Sequence, residues 1–115
     1  SLLEYSLHDE YVAPLRRIMT IEQFSSKEFR DMYSELYANM MLDYHTTLFD
    51  KMMKNGAISN GNARELALIY DSPFFILLGE CDRHPEKEEE AKKELRNHVE
   101  FFFSVFSPQT KLEEI

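Results

Sequence analysis

From Lys27 to Lys54 large side chains recur at intervals of three and four: Phe29, Tyr33, Leu36, Tyr37, Met40, Tyr44, Leu48 and Met52. That spacing predicts one long amphipathic helix of about 42 Å. Ser25 followed by Glu28 reads as a capping box at its start, and Asn55-Gly56 supplies a left-handed stop at its end. A rod of this length cannot bury its apolar stripe alone, so the rest of the chain has to supply partners for it. Gly numbers 3, Pro 4 and Val 3 in 115 residues, while Leu, Met, Glu and Lys abound. Those are helix formers, and few positions remain for chain reversal. The expected fold class is therefore all-α, a helical bundle of four main helices.

The first helical segment covers roughly Leu2 to Met19, with a stripe of Tyr11, Leu15 and Ile18 joined by Val12 and Met19. Pro14 lies inside it, so this segment is either kinked or made of two short helices meeting near His8–Asp9. The third helix starts at Asn62, with Glu65 three residues on, and continues to about Asp82, with a kink expected at Pro73. The fourth starts at Pro85/Glu86, where proline and acids both suit a helix N-terminus, and ends at Ser107-Pro108. Residues 1–106 then form one domain and 107–115 a tail, frayed from Gln109 onward. If globular, such a domain has a radius of gyration of about 13 Å.

Charge and cysteine content exclude several function classes. The net charge of −8 repels phosphate backbones, so these residues are not expected to bind nucleic acid themselves. A single cysteine allows neither an internal disulfide nor a multi-cysteine zinc site. The uncharged apolar stretch of the third helix, Ser72 to Gly79, is far below the roughly 20 residues of a membrane span, so no membrane association is expected. No basic start followed by an apolar run marks a signal peptide, and a cytoplasmic location follows as the expectation. A start at Ser1 rather than Met points to a processed product or to a piece of something longer.

The last two helices carry more apolar circumference than one neighbour covers. Projected at 100° per residue, Ala63, Leu66, Tyr70, Phe74, Leu77 and Cys81 make a core face of the third helix. Arg64, Glu65, Asp71, Glu80 and Asp82 mark the opposite, polar arc, yet Leu68, Phe75 and Ile76 fall within it, interleaved with Ser72 and Gly79. In the fourth helix the apolar positions, Phe102 and Phe103 among them, spread over about 200°, well past the ~100° that one contact needs. Exposed patches of this kind mark interfaces. The expectation is a two-fold homodimer in which the last two helices of each subunit form an intermolecular four-helix bundle, with Leu68, Ser72, Phe75, Gly79, Phe102 and Phe103 at the interface. The alternative is that the Pro73 kink rotates the stripe, so that the projection mixes two faces.

The stretch LALIYDSPFFILLGECDRHPEKEEEAKKELRNHVEFFFSVF (Leu66 to Phe106) resembles the last two helices of regulators similar to the tetracycline repressor, the TetR family. So does HDEYVAPLRRIMTIEQF (His8 to Phe24), leading into a long helix that ends at KMMKNG (Lys51 to Gly56). The carrying features are the kinked Ser72-Pro73 helix, the Asp82-Arg83-His84-Pro85 corner and the Phe-rich last helix. Members of that family are homodimers with an N-terminal helix-turn-helix DNA-binding domain and a C-terminal domain that binds a small effector. The resemblance implies that residues 1–106 are the effector-binding and dimerisation domain, and that DNA is reached only through an N-terminal domain absent from these 115 residues. A free-standing helical dimeric adaptor using the same Phe-rich surface is the alternative.

A pocket fits the implied role. The long helix presents Tyr33, Tyr37, Met40 and Tyr44, with Met41, His45 and Phe49 beside them, and Tyr70, Phe74 and Leu77 face it from the third helix. Apolar and aromatic walls with a few polar tips between bundle helices describe a small-molecule site, and equally a plain core. The expected effector is small and apolar or aromatic, and a cationic one would suit the rings through cation–π contact. No metal or other cofactor is expected. Cys81 and His84 near Asp82 lack a second ligand pair, and Glu4/His8, Glu80/His84 and Glu94/His98 have a spacing of four rather than the three of di-iron bundles. No catalytic residues are assigned: there is neither a nucleophile elbow nor a phosphate-cradling Gly loop, and Asp43 and His45 point about 200° apart on a helix.

Overall fold

A computed structural model describes residues 1–108, and every regular element among them is helical. The tail's Gln109 to Ile115 lie outside the described residues. The first segment divides into two helices, α1 (Leu2–His8) and α2 (Val12–Glu22). Asp9 makes the break: its backbone is extended, and its Oδ2 accepts from the backbone N–H groups of Tyr11 at 3.0 Å and Val12 at 2.9 Å. Pro14 then falls in the first turn of α2, where a missing N–H costs nothing.

The long helix is continuous from Lys27 to Lys54 but is not one uniform α-helix. It comprises α3 (Lys27–Tyr33), a π-helical stretch (Ser34–Asn39) and α4 (Met40–Lys54). The cap is Ser26, whose Oγ accepts from Phe29 N at 3.4 Å, one residue later than the expected Ser25; Ser25 donates instead to the Glu22 carbonyl at 3.1 Å. A π-turn inserts about one extra residue per turn and so rotates every later position by roughly 100°. The inward stripe of α4 is therefore Met41, His45, Phe49 and Met52, while Met40 and Tyr44 are 60% and 65% exposed.

Gly56 closes α4 at φ +83°, as an αL cap requires. The following loop buries Ile58 and donates from Ser59 N to the Phe106 carbonyl at 2.7 Å, tying off the far end of the last helix. The rod α5 (Ala63–Arg83) starts at Asn62, whose side-chain oxygen accepts from Glu65 N at 3.0 Å. Pro73 removes one donor from its ladder. Around that break Ser72 Oγ donates to the Leu68 carbonyl at 2.5 Å, and His98 Nε2 reaches the Tyr70 carbonyl at 3.0 Å from the neighbouring helix. A 3₁₀ turn at Pro85–Lys87 leads into α6 (Glu88–Phe106).

α5 is the central rod and packs on α1, α4 and α6. One core cluster joins Leu3 and Leu7 of α1 to Leu78 and Cys81 of α5 and Ala91 of α6. A second joins Phe49 of α4 to Ile58, Leu66, Ala67 and Phe102. The Phe102 ring lies 5.3 Å from Phe49, 4.9 Å from Tyr70 and 4.8 Å from Phe106 between centroids. One of the expected interface residues is thus corrected: Phe102 is 1% exposed inside the subunit's own core, while the half-buried Phe103 packs against the same cluster. The outward face of α6 carries Phe101 and Val105 instead.

The corner of α1, α2 and α5 is held by a partly buried ion pair. Arg16 of α2 forks onto Asp82 of α5 at 2.5 and 2.7 Å and donates from Nε to the Ser6 carbonyl at 3.1 Å. Arg17 adds a 3.2 Å contact to the same carboxylate. The molecule measures 56 × 32 × 20 Å, and its radius of gyration of 16.8 Å exceeds the ~13 Å of a compact domain of this length. A body only 20 Å thick holds about two layers of helices, each roughly 10 Å across.

Candidate functional site

A cavity of about 600 Å³ opens between four helices. Leu3 of α1, His45 of α4, Tyr70, Asp71 and Phe74 of α5 and Leu95 of α6 all line it. Its walls are mostly apolar and aromatic. His45 stacks against Phe49 at 5.9 Å and meets Tyr70 edge-on at 5.0 Å.

Asp71 is the unusual group. The projection placed it on the polar arc of its helix, yet it is 3% exposed. His45 Nδ1 stands 2.6 Å from Asp71 Oδ1 at ion-pair distance. His45 Nδ1 and Asp71 Oδ2 are nevertheless both buried without a hydrogen-bond partner. Burial pushes the Asp71 carboxyl above the ordinary carboxylate range, and the charge and proximity of His45 offset this only in part. Burial, together with the Asp71 charge, raises the Tyr70 hydroxyl in the same way.

At the rim Lys92 of α6 bridges three carboxylates, Glu4 of α1, Glu88 at 3.3 Å and Glu89 at 3.1 Å. Its hydrogen bond to Glu4, followed by that to Glu89, raises the lysine above its ordinary value. His8 Nε2 also lies 2.5 Å from Glu88, so α1 is tied to the first turn of α6 by two side chains along one wall of the cavity.

Of the residues expected to form a pocket, Met41, His45, Tyr70 and Phe74 line this cavity. Tyr33 and Tyr37 meet each other at a tilt instead, 5.6 Å between ring centroids, and Tyr37 lies in the field of Arg16 and Asp82 at the other corner of the molecule. Met40 and Tyr44 face outward, and Leu77 packs with the Leu3 cluster and borders an outer groove. Asp71 and Leu95 line the cavity too but were not read as site residues. The available signal was the run Ala67, Asp71, Phe74, Leu78 and Cys81, a core ladder at spacings of four and three in which one rung is an acid.

Cys81 is buried, and among the described residues no three His, Cys, Asp or Glu side chains come together as a metal site would need. No described helix is long and apolar enough to cross a membrane.

The raised Asp71 has a measurable consequence. An acid held above its unfolded value, about 3.9, lowers stability wherever the unfolded chain has already given up its proton. The penalty is absent below about pH 4 and grows as pH rises through the folded value. Asp71→Asn is therefore expected to melt above the wild type at pH 7, with the gap closing towards pH 4. A lower melting temperature for the variant at pH 7 would show that the carboxylate is a net stabiliser. Comparison of the chain with family models, with curated proteins and with solved structures finds no match.

Proposed function

We propose that this chain is the ligand-sensing and homodimerisation domain of a transcriptional regulator similar to the TetR family, in which an additional N-terminal segment reads DNA. The observation that carries the reading is the cavity of about 600 Å³ with α1 as a wall, the size and lining of a small-molecule site. α1 is short and is held to α6 by rim ion pairs and to α2 and α5 by the Arg16–Asp82 corner. A ligand entering between α1 and α4–α6 favours one angle of α1 over another. In a dimeric parent that angle sets the separation of two DNA-reading heads, which must match about one turn of DNA, roughly 34 Å.

Dimerisation is supported by shape and by exposed surface. On the outer face of α5 and α6, Leu68 is 38%, Ile69 47%, Ile76 69%, Phe101 67% and Val105 47% exposed, around the small residues Ser72 and Gly79. Ile69, Ser72, Ile76 and Phe101 border one shallow groove along this face. Phe75 is half-buried there against Phe74, at 5.6 Å between rings. A second copy packed on this face completes a four-helix bundle and thickens a body that is 20 Å thin. Ile76→Glu and Gly79→Arg are expected to halve the mass seen by light scattering while leaving helicity intact. The subunit tolerates both, because Ile76 is in solvent and a Cβ on Gly79 meets only the mobile end of Arg83, at 3.3 Å. An unchanged mass in both variants defeats the dimer. The regulator reading is tested by the reading frame upstream of Ser1: a basic helix-turn-helix segment there supports it, and a stop codon followed by an unrelated frame removes it.

A further inference from the structure

We infer that the cavity takes an organic cation, an aromatic or apolar body carrying a protonated N–H nitrogen, with that nitrogen seated on the Asp71 carboxylate. This rests on the reading of the cavity as a ligand site and adds the chemistry of what fills it. Four observations meet at one point. Asp71 lines the cavity, is 3% exposed, and keeps one carboxylate oxygen buried without a donor. Buried acceptors are almost always satisfied, so an acceptor without a donor just behind the wall of an open cavity marks a place that a ligand's donor can claim as the side chain turns towards it. The second oxygen already faces His45 at 2.6 Å, which leaves Oδ2 as the free acceptor. Tyr70 and Phe74 line the same cavity, and the faces of such rings attract a desolvated cation.

Among the charged residues lining the cavity Asp71 is the buried one. The side chains lining it include the carboxylates of Glu4, Asp71 and Glu100 against the cations of Lys92 and Arg96, with His45 and His98 as the titratable imidazoles. Lys92 is already engaged by Glu4, Glu88 and Glu89, so it is a poor anchor for an anion. An anionic ligand would place a second negative charge beside a buried carboxylate, whereas a cation neutralises it.

The test uses three probes of one shape on the 115-residue chain at pH 7: 2-naphthylmethylammonium, the neutral 2-naphthylmethanol and the anionic 2-naphthylacetate, titrated by calorimetry. The ammonium is expected to bind at least about tenfold tighter than the alcohol, the difference a charge-assisted hydrogen bond supplies, and the acetate weakest. In Asp71→Asn the ammonium is expected to fall to the affinity of the alcohol, while the alcohol is unchanged. The comparison on the wild type decides the matter even if the variant does not fold. Equal binding of ammonium and alcohol to the wild type overturns the cation while leaving the cavity as a ligand site. Tighter binding of the acetate also overturns it. Silence from all three probes removes the cavity as a ligand site and this inference with it.

Discussion

Phe102→Ala is expected to destabilise the domain by about 3–5 kcal/mol, the cost of emptying a filled aromatic site. The ring is 1% exposed and within 5.3 Å of Phe49, Tyr70, Phe103 and Phe106 between centroids. Removing it leaves a hole at the meeting of α4, α5 and α6 that none of these helices can close, because each is anchored elsewhere. The Ser59–Phe106 backbone bond holds the end of α6, and the His98–Tyr70 bond holds its middle. Urea unfolding followed by circular dichroism measures the loss. A drop below about 1 kcal/mol would place Phe102 at an exposed face after all, since surface substitutions rarely exceed that. By contrast Phe101→Ala, on a side chain 67% exposed, is expected to leave subunit stability nearly unchanged.

The second large effect is expected at the corner of α1, α2 and α5. Arg16→Met keeps most of the buried side-chain volume but strands Asp82 and the Ser6 carbonyl, for a loss of about 2–3 kcal/mol. The loss is less than for a wholly buried pair because the Asp82 side chain is 23% exposed and retains Arg17. The acid limb gives an independent reading. Burial alone would raise Asp82, but the hydrogen bonds and charges of Arg16, then Arg17, bring it below the ordinary carboxylate range. The stability this contributes is present above the unfolded value, near pH 4, and is lost as pH falls through the folded value. The wild type is therefore expected to lose more stability than Arg16→Met between pH 5 and pH 2. Parallel losses in the two proteins would show that Arg16 does not hold Asp82 in solution. Because α1 is also a wall of the cavity, the same variant loosens the element on which ligand sensing is proposed to act.

The helical elements were legible because their signals are local. Asn62 caps α5, Gly56 takes the left-handed φ after α4, and Pro85 opens the turn before α6. Each depends on backbone geometry within four residues, and so does the break near Asp9 that the sequence left as one of two possibilities. The candidate site was legible only in part. Tyr70 and Phe74 line the cavity, because they lie on the strongest stripe of α5. Met40 and Tyr44 do not, because six residues of π-helix shift the phase of everything after Asn39. A pattern read at 3.6 residues per turn carries no trace of that insertion, since π geometry changes the hydrogen-bond partner and not the residue types.

Phe102 and Asp71 show the same limit from opposite directions. A run of three phenylalanines covers more than half of a helix circumference, so its composition cannot say which ring turns inward. The positions of α4 and α5 decide that Phe102 does and Phe101 does not. An acid at position 71 is solvated on an isolated helix, and it is buried only because α4 brings His45 against it from 26 residues away. Helix identity, ends and overall apolar excess thus follow from the order of residues, being sums of short-range propensities. Which acid is left wanting a donor, which rings close the core and which face stays bare are set by how the rods cross, and that is a property of their packing alone.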